Sequence, residues 1–428
     1  MSFLPLGRRR SVILLQGPVG PFFAALQGTL EARGWRTLRL VFNGGDEIYA
    51  GAGRLLRFDA PPQRWVKELE RIFRAESAQA VFMFGDQRPI HLAAKEAAAR
   101  GEITVVSFEE GYLRPNFVTM EIGGNNACSP LRDWRPGGEE PPPPIARPTG
   151  ASFAVVAWLA TRYFVALRLA AQRYPAYVHH RRRGLVRESF FWTRSLARKL
   201  LHLPANRAVM RAATTALAGR HFILALQVFD DLQLRRHGRG WTVGKAIEAT
   251  LASFARAAPT DLNLLVKGHP LDRGHSSARR LTHALAAAMG IAERVHYLDD
   301  GPLGLLSQTS LGMVTINSTS ALVAFNQGKP VFALGDAFYA AFTTNGTGCE
   351  PAALDGFWAG GAGMSRQTWL AFAGAMGRMS LVNGGFYRRA ILPATCARVV
   401  DRVEALFGTG PEQESAHIDD VERADHIT

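Results

Sequence analysis

With 428 residues the chain is too long for one ordinary α/β core and suits two. Hydrophobic residues at 47% and charged residues at 20% are ordinary globular values and exclude a wholly disordered chain. The 50 Lys+Arg against 36 Asp+Glu leave a formal charge of +14, which asks for an anionic partner but does not choose among nucleic acid, nucleotide phosphate, acidic sugar and lipid headgroup.

Cys128, Cys349 and Cys396 form no CxxC or zinc-knuckle spacing, and a reducing, cytoplasmic setting is expected. Three arginines precede the apolar run Ser11 to Gln16, which is too short for a signal-peptide core and reads as a first strand. From Val12 to Ser107 short β-rich runs alternate with helical stretches. The runs are Val12 to Leu15, Thr37 to Phe42, Ala80 to Phe84 and Ile103 to Ser107; the helical stretches are Phe22 to Arg33, Arg64 to Ala75 and Ile90 to Arg100. Repeated βα units predict a mostly parallel, doubly wound sheet whose ligand lies beyond the carboxyl ends of its strands.

Polar, glycine-bearing loops follow each of these strands, and they supply the first candidates for an acceptor side of a cleft. Gln16 and Gly17 stand at the first strand-to-helix turn, Asn43, Gly45 and Asp46 after the second strand, and Asp86, Arg88 and His91 after the third. The first turn lacks GxGxxG and a Walker lysine, so dinucleotide and P-loop readings fail. Glu109 and Glu110 follow the fourth strand in Glu-Glu-Gly-Tyr-Leu-Arg114, where one carboxylate can serve as acid or base. Adjacent loop acids are otherwise simply solvated.

Pro136 to Pro144 excludes regular structure and predicts a linker or exposed loop. An insertion rich in Ala, Leu, aromatics and Arg fills Phe153 to Asn206. Arg162 and Arg168 argue against a membrane span from Phe153 to Ala171, at roughly 2.5 to 3.5 kcal/mol each. Thr161, Arg162, Arg168, Gln172 and Arg173 gather on one arc, which predicts an amphipathic helix. His179 to Arg183, Arg187, Arg194, Arg198 and Lys199 follow, a basic region suited to an anionic membrane surface; packing of these helices on the protein itself is the alternative.

A second βα series runs through Phe222 to Gln227, Asn263 to Val266, Val295 to Leu298, Gly312 to Ile316 and Pro330 to Leu334. Gln227, Asp230 and Asp231 end its first strand, across the expected cleft from Glu110. Asp230 can instead cap a helix. Lys267, His269 and Pro270 end the next strand, and the proline keeps the histidine out of a helix. A His-Pro pair alone reads as a turn. Ser318, Thr319 and Ser320 precede a helix from Ala321 to Gln327, whose N-terminus favours anions, although capping alone would explain them. The expected domains are 1–150, a Rossmann-like acceptor-side domain; 151–206, the basic helical insertion; 207–408, a Rossmann-like nucleotide-sugar domain; and 409–428, a frayed tail. Together these make an α/β architecture of two doubly wound domains facing a cleft, GT-B-like.

The stretches Gln16-Gly-Pro18, Phe42 to Asp46, Phe84-Gly-Asp86, Arg88-Pro89, His91, Glu109 to Pro115, Leu226-Gln-Val228, Lys267 to Pro270 and Asn317 to Ala321 together resemble the capsular polysaccharide synthesis and export family. The resemblance is to its β-Kdo (3-deoxy-manno-octulosonic acid) transferases, which start the lipid anchor of bacterial capsules. It implies transfer from CMP-Kdo to a phosphatidylglycerol-type lipid, with retention, at the inner face of the cytoplasmic membrane among other capsule-assembly proteins. The order of the acidic, His-Pro and Ser/Thr motifs is also similar to that of bacterial sialyltransferases, which favours a cytidine donor. By position, Lys267, His269, Ser318, Thr319 and Ser320 would hold the CMP phosphate, Glu110 would be the first-domain acid or base, and Asp231 the nucleophile. Glu109 and Asp230 compete with them.

No metal spacing or cofactor motif stands out, so transfer without metal or cofactor is expected. Transfer of another CMP-activated acidic sugar, chain extension, and a non-enzymatic export or assembly scaffold are the alternatives. Nucleic-acid binding ranks last, because no such motif accompanies the basic residues.

Overall fold

A computed structural model describes residues 10–149, 153–178, 185–348 and 351–407, with the side chains of 185–189 and 351 excepted. The basic run from His179 to Arg183, the side chain of Arg187 and the expected tail 409–428 lie outside the described residues.

Two sheets carry the fold. The first contains β1 (Ser11–Leu14), β2 (Arg36–Val41), β3 (Leu55–Arg57), β4 (Ala80–Phe84), β5 (Thr104–Glu110), β6 (Phe117–Ile122) and, from far along the chain, β12 (Leu381–Asn383). The second contains β7 (His221–Ala225), β8 (Asn263–Lys267), β9 (Val295–Leu298), β10 (Gly312–Thr315) and β11 (Val331–Ala333). Their orders are β12-β6-β5-β4-β1-β2-β3 and β11-β10-β7-β8-β9. The second is parallel throughout. In the first, β1 to β5 are parallel, whereas β6 turns back on β5 and β12 pairs antiparallel with β6. The strands are near-continuous apolar runs because helices cover both faces, as parallel sheets require. Two Rossmann-like units result, as the strand-helix alternation predicts.

The chain departs from the expected boundaries at both ends of the second unit. After β11 it returns to the first sheet: β12 covers the edge of β6, and the helix Leu392–Phe407 buries Cys396, Val399, Val400 and Val403 in the core that holds Phe22, Leu26 and Leu30. Residues 381–407 therefore belong with the first lobe and not with 207–408. The helix Leu203–Thr214, by contrast, packs on β9 and on the helix Leu303–Thr309, so the second lobe starts before 207.

One apolar core joins the lobes. Tyr112, Phe117, Leu131 and Trp134 of the first share it with Ile223, Leu265, Phe338 and Phe372 of the second, and Tyr112 stacks on Phe338 with ring centroids 4.4 Å apart. Beneath it Glu121 is buried and accepts hydrogen bonds from Tyr112, Asn125, Ser129 and Ser380, which ties β6 to the segment leading into β12.

The insertion bridges both lobes. The helix Phe153–Leu169 sits on the turn Gly44–Glu47, while Arg198 of the helix Leu185–Leu201 donates to the carbonyls of Arg273 (2.7 Å) and Ser276 (2.9 Å) in the second. Phe153 and Trp192 bring the two insertion helices together, ring centroids 6.4 Å apart. Among the described residues no helix is long and apolar enough to cross a membrane.

Candidate active site between the lobes

The strand ends of the two sheets meet, and charge is felt across the gap. β5 runs three residues further than the sequence pattern predicts, so Glu109 and Glu110 are its last residues and not loop residues. Glu109 is half-buried, and its carboxyl is pushed up to about 7, first by burial and then by the repulsion of Glu110 and of Asp231 in the opposite lobe, with the Glu110 amide and Arg114 pulling the other way. Glu110 accepts a hydrogen bond from the Tyr387 hydroxyl, a residue of the segment returning to the first lobe.

From the second lobe, Asp231 caps the short helix Leu232–His237 by accepting from the Gln233 amide at 2.9 Å. Asp230 is buried in an ion pair with Arg235. His269 lies two residues beyond β8 with an extended backbone and caps the short turn Pro270–Asp272. Its Nδ1 accepts from the Leu271 amide at 3.2 Å, which places the proton of the neutral ring on Nε2. Burial, then Lys267 and Arg114 from across the gap, hold its pKa down to about 4, so the ring is neutral at physiological pH. Lys267 is buried, donates to the Gly268 carbonyl at 2.7 Å and is lowered to about 8, chiefly by burial. Asp299, Asp300 and Arg273 lie in its field.

Ser318, Thr319 and Ser320 follow β10 and are half-buried; the Ser318 hydroxyl accepts from the Ser320 amide at 3.2 Å. The Ser320 hydroxyl is itself buried with no partner, which leaves a donor to spare. Gln227 and Asn317 lock the ends of β7 and β10 together through paired bonds of 2.9 and 3.1 Å. Gln227 is thus a brace behind the hydroxyls.

The first-lobe candidates divide. Arg114 is exposed and faces His269. Asp86 is wholly buried, pairs with Lys95 at 3.0 Å and takes a long 3.4 Å bond from Gln233 of the other lobe, so it belongs to the seam. His91 is wholly buried with Nδ1 on the Gly85 carbonyl and a pKa near 3, mainly from burial; it supports the turn after β4 and does not line the cleft. Arg88 lies over Phe84 beside a narrow apolar slot that also holds Gln16.

Gln16, Asn43, Gly45 and Asp46 do not line the cleft either. Asp46 is buried and accepts from the Tyr163 hydroxyl (3.0 Å), Gln16 (3.3 Å) and the Phe42 amide (3.1 Å), while Asn43 donates to Tyr163 at 2.9 Å. A Cβ on Gly45 would stand 2.6 Å from the Tyr163 ring, and one on Gly44 would stand 2.4 Å from the Ala166 carbonyl oxygen. This motif seats the insertion helix. Gly17 similarly makes room for Phe23, at 2.8 Å, and not for a ligand. Tyr387 escaped the sequence reading because a tyrosine in Gly384-Gly-Phe-Tyr387 carries no spacing that points to Glu110.

A family model described as "Capsule polysaccharide biosynthesis protein" matches residues 79–387. The chain is 34% identical over 334 residues to the "Capsule polysaccharide export protein KpsS" of Escherichia coli, covering 77% of this chain and 86% of that one. It is 32% identical over 395 residues to the "Capsule polysaccharide modification protein LipB" of Neisseria meningitidis serogroup A, covering 90% and 93%. Among solved structures it is similar to the "beta Kdo 2,4 transferase" of Thermosulfurimonas dismutans KpsC, at 15% identity and a TM-score of 0.39, covering 86% of this chain and 91% of that one. With the Glu109 motif of the first lobe and the His269 motif of the second inside the matched span, the chain belongs to the capsule polysaccharide biosynthesis protein family.

Proposed function

We propose that the protein is a glycosyltransferase that moves β-Kdo from CMP-Kdo onto a phosphatidylglycerol-type lipid at the inner face of the cytoplasmic membrane, with retention. The observation that carries this reading is the approach of strand-end groups across the gap: Asp231 near enough to Glu109 to raise its pKa, and Arg114 near enough to His269 to help keep its ring neutral. An acid of tuned pKa, an opposing carboxylate and a neutral imidazole beside a lysine are the groups that transfer of a phosphate-activated sugar requires.

In the first step an Asp231 oxygen attacks the anomeric carbon, and the bond from that carbon to the CMP phosphate breaks, its electron pair leaving with the phosphate. Lys267, the Nε2–H of His269 and the hydroxyls of Ser318 to Ser320 receive the departing charge without a metal or cofactor. In the second step the acceptor hydroxyl attacks the same carbon, its proton passes to Glu109, and the Asp231 carboxylate is released. Two inversions give retention. Esterified Asp231 no longer repels charge on Glu109, so the base ionises more readily in the step that needs it.

Attachment to the membrane is supported by apolar side chains that the insertion leaves exposed: Phe153 and Trp158 on one helix, Phe190, Trp192, Leu200 and Leu201 on the other. The test is incubation of purified protein with CMP-Kdo and short-chain phosphatidylglycerol, with mass analysis of lipid and protein. Product from wild type, none from Asp231→Ala, and an adduct on the protein are expected. Transfer only from another CMP-activated sugar, or only to a growing polysaccharide, would replace the substrates; no CMP binding at all would leave an assembly scaffold.

A further inference from the structure

An open pocket of ≈ 570 Å³ lies in the second lobe between the helix Ala278–Ala288 and the end of the insertion helix Leu185–Leu201. Arg198, Arg273, Arg279 and Arg280 stand in its wall with His283, and His269 of the candidate active site forms part of the same wall. The pocket is thus continuous with the reaction centre but reaches away from it toward the insertion.

Its cations are unevenly balanced. Arg279 is held by Asp299 at 2.8 Å and Arg273 by Asp300 at 2.9 Å. Arg198 donates to backbone carbonyls, and Arg280 is exposed. Burial and then the repulsion of Arg194 lower the Arg198 pKa, opposed by Asp299 and Tyr297, with Arg280 adding a smaller repulsion. The Arg273 guanidinium is almost fully buried, yet its Nε has no hydrogen-bond partner.

The wall that carries Arg198 is the helix whose outward side chains Phe190, Leu196 and Leu200 are exposed at 61%, 61% and 64%. A ligand entering here meets arginines in the pocket and an apolar surface at its rim. We propose that this pocket receives the phosphodiester of a membrane-embedded glycerophospholipid, leaving the headgroup's terminal hydroxyl to extend past His269 to the cleft acids. The reading deepens the transferase proposal by placing its acceptor, and it can be tested without turnover.

Binding of dihexanoyl phosphatidylglycerol below its micelle concentration, of inorganic phosphate and of CMP is measured by calorimetry on wild type, Arg280→Glu and Arg273→Met, with Lys67→Glu as a charge-matched control on the first lobe. The lipid is expected to bind wild type at least tenfold more tightly than inorganic phosphate. Arg280→Glu, a surface change that leaves the fold intact, should weaken the lipid at least fivefold while CMP and the Lys67→Glu control stay within twofold; Arg273→Met should act in the same direction. Equal affinity for phosphate and lipid would make the pocket a free-phosphate site and overturn the proposal. A loss of CMP affinity in Arg280→Glu would assign the pocket to the nucleotide, and unchanged lipid affinity in both variants would remove it altogether. If the lipid binds as expected but no sugar is transferred to it, the pocket stands and the transferase reading falls.

Discussion

At the scale of single residues, Glu109 is where stability and chemistry pull apart. Its pKa rises on folding from an ordinary 4.5 to about 7, mainly through burial. Below pH 4.5 it is protonated in both states and costs nothing. Between 4.5 and 7 the unfolded chain ionises first, so the cost grows with pH and levels off above 7, at on the order of 3 kcal/mol. Glu109→Gln should therefore raise the melting temperature at pH 8 and change it little at pH 4.5. As the proposed base, the same carboxyl should give wild-type transfer an ascending limb centred near pH 7, and the variant should lose that limb together with most of the rate. A variant that gains no more stability over wild type at pH 8 than at pH 4.5 would show that the acid is solvated. Tyr387→Phe tests the neighbouring contact: without the hydroxyl, Glu110 loses its donor, and transfer should fall while CMP binding holds. The acidic pair was legible in sequence from its place at a strand end. Which member faces Asp231 was not, because strand alternation had to be counted from an end that lies three residues later than the apolar pattern suggests.

At the scale of elements, the segment Asn43 to Asp46 shows why a glycine motif can mislead. A ligand approaching a backbone and a helix approaching a backbone make the same demand, the absence of a Cβ, and the sequence contains only the demand. Here the visitor is the helix Phe153–Leu169, whose Tyr163 closes over Gly45 and donates to Asp46. Gly45→Ala puts a methyl carbon against the Tyr163 ring, and such overpacking should destabilise the protein by about 1–3 kcal/mol, read as a lower urea midpoint. Because the clash separates the insertion from the first lobe, limited proteolysis should cut sooner near 153–178 than in wild type, with the second lobe unaffected. A variant with unchanged midpoint and cleavage would mean the helix is not seated there. Two of the three strands that the sequence missed are informative in the same way, while the third, β6, turns back antiparallel on β5 and so falls outside the βα alternation. β3 and β12 have three residues each, too few for a period to register, and β12 exists only because the edge of β6 is open to it.

For the whole molecule, the insertion matters because it touches both lobes at once. One helix is fastened to the first lobe by the Tyr163–Asp46 bond, the other to the second by Arg198, and Phe153 against Trp192 joins them. Trp158 and Trp192 are exposed on the two helices so joined, and under the proposed function a membrane that engages both would hold the lobes in register. Burying apolar area at roughly 25 cal/mol per Å² makes each indole worth about 1–2 kcal/mol, and each basic residue near an anionic surface adds about 1 kcal/mol that salt screens. Trp158→Glu with Trp192→Glu should then weaken co-sedimentation with phosphatidylglycerol vesicles by on the order of tenfold or more, with a melting curve like that of wild type. Raising salt should weaken wild type further without abolishing its binding, since the apolar share persists. Transfer to short-chain lipid free in solution should survive the double substitution, whereas transfer to lipid in vesicles should drop with binding. Equal loss on both acceptors would mean that the tryptophans shape the cleft and that the membrane is engaged elsewhere.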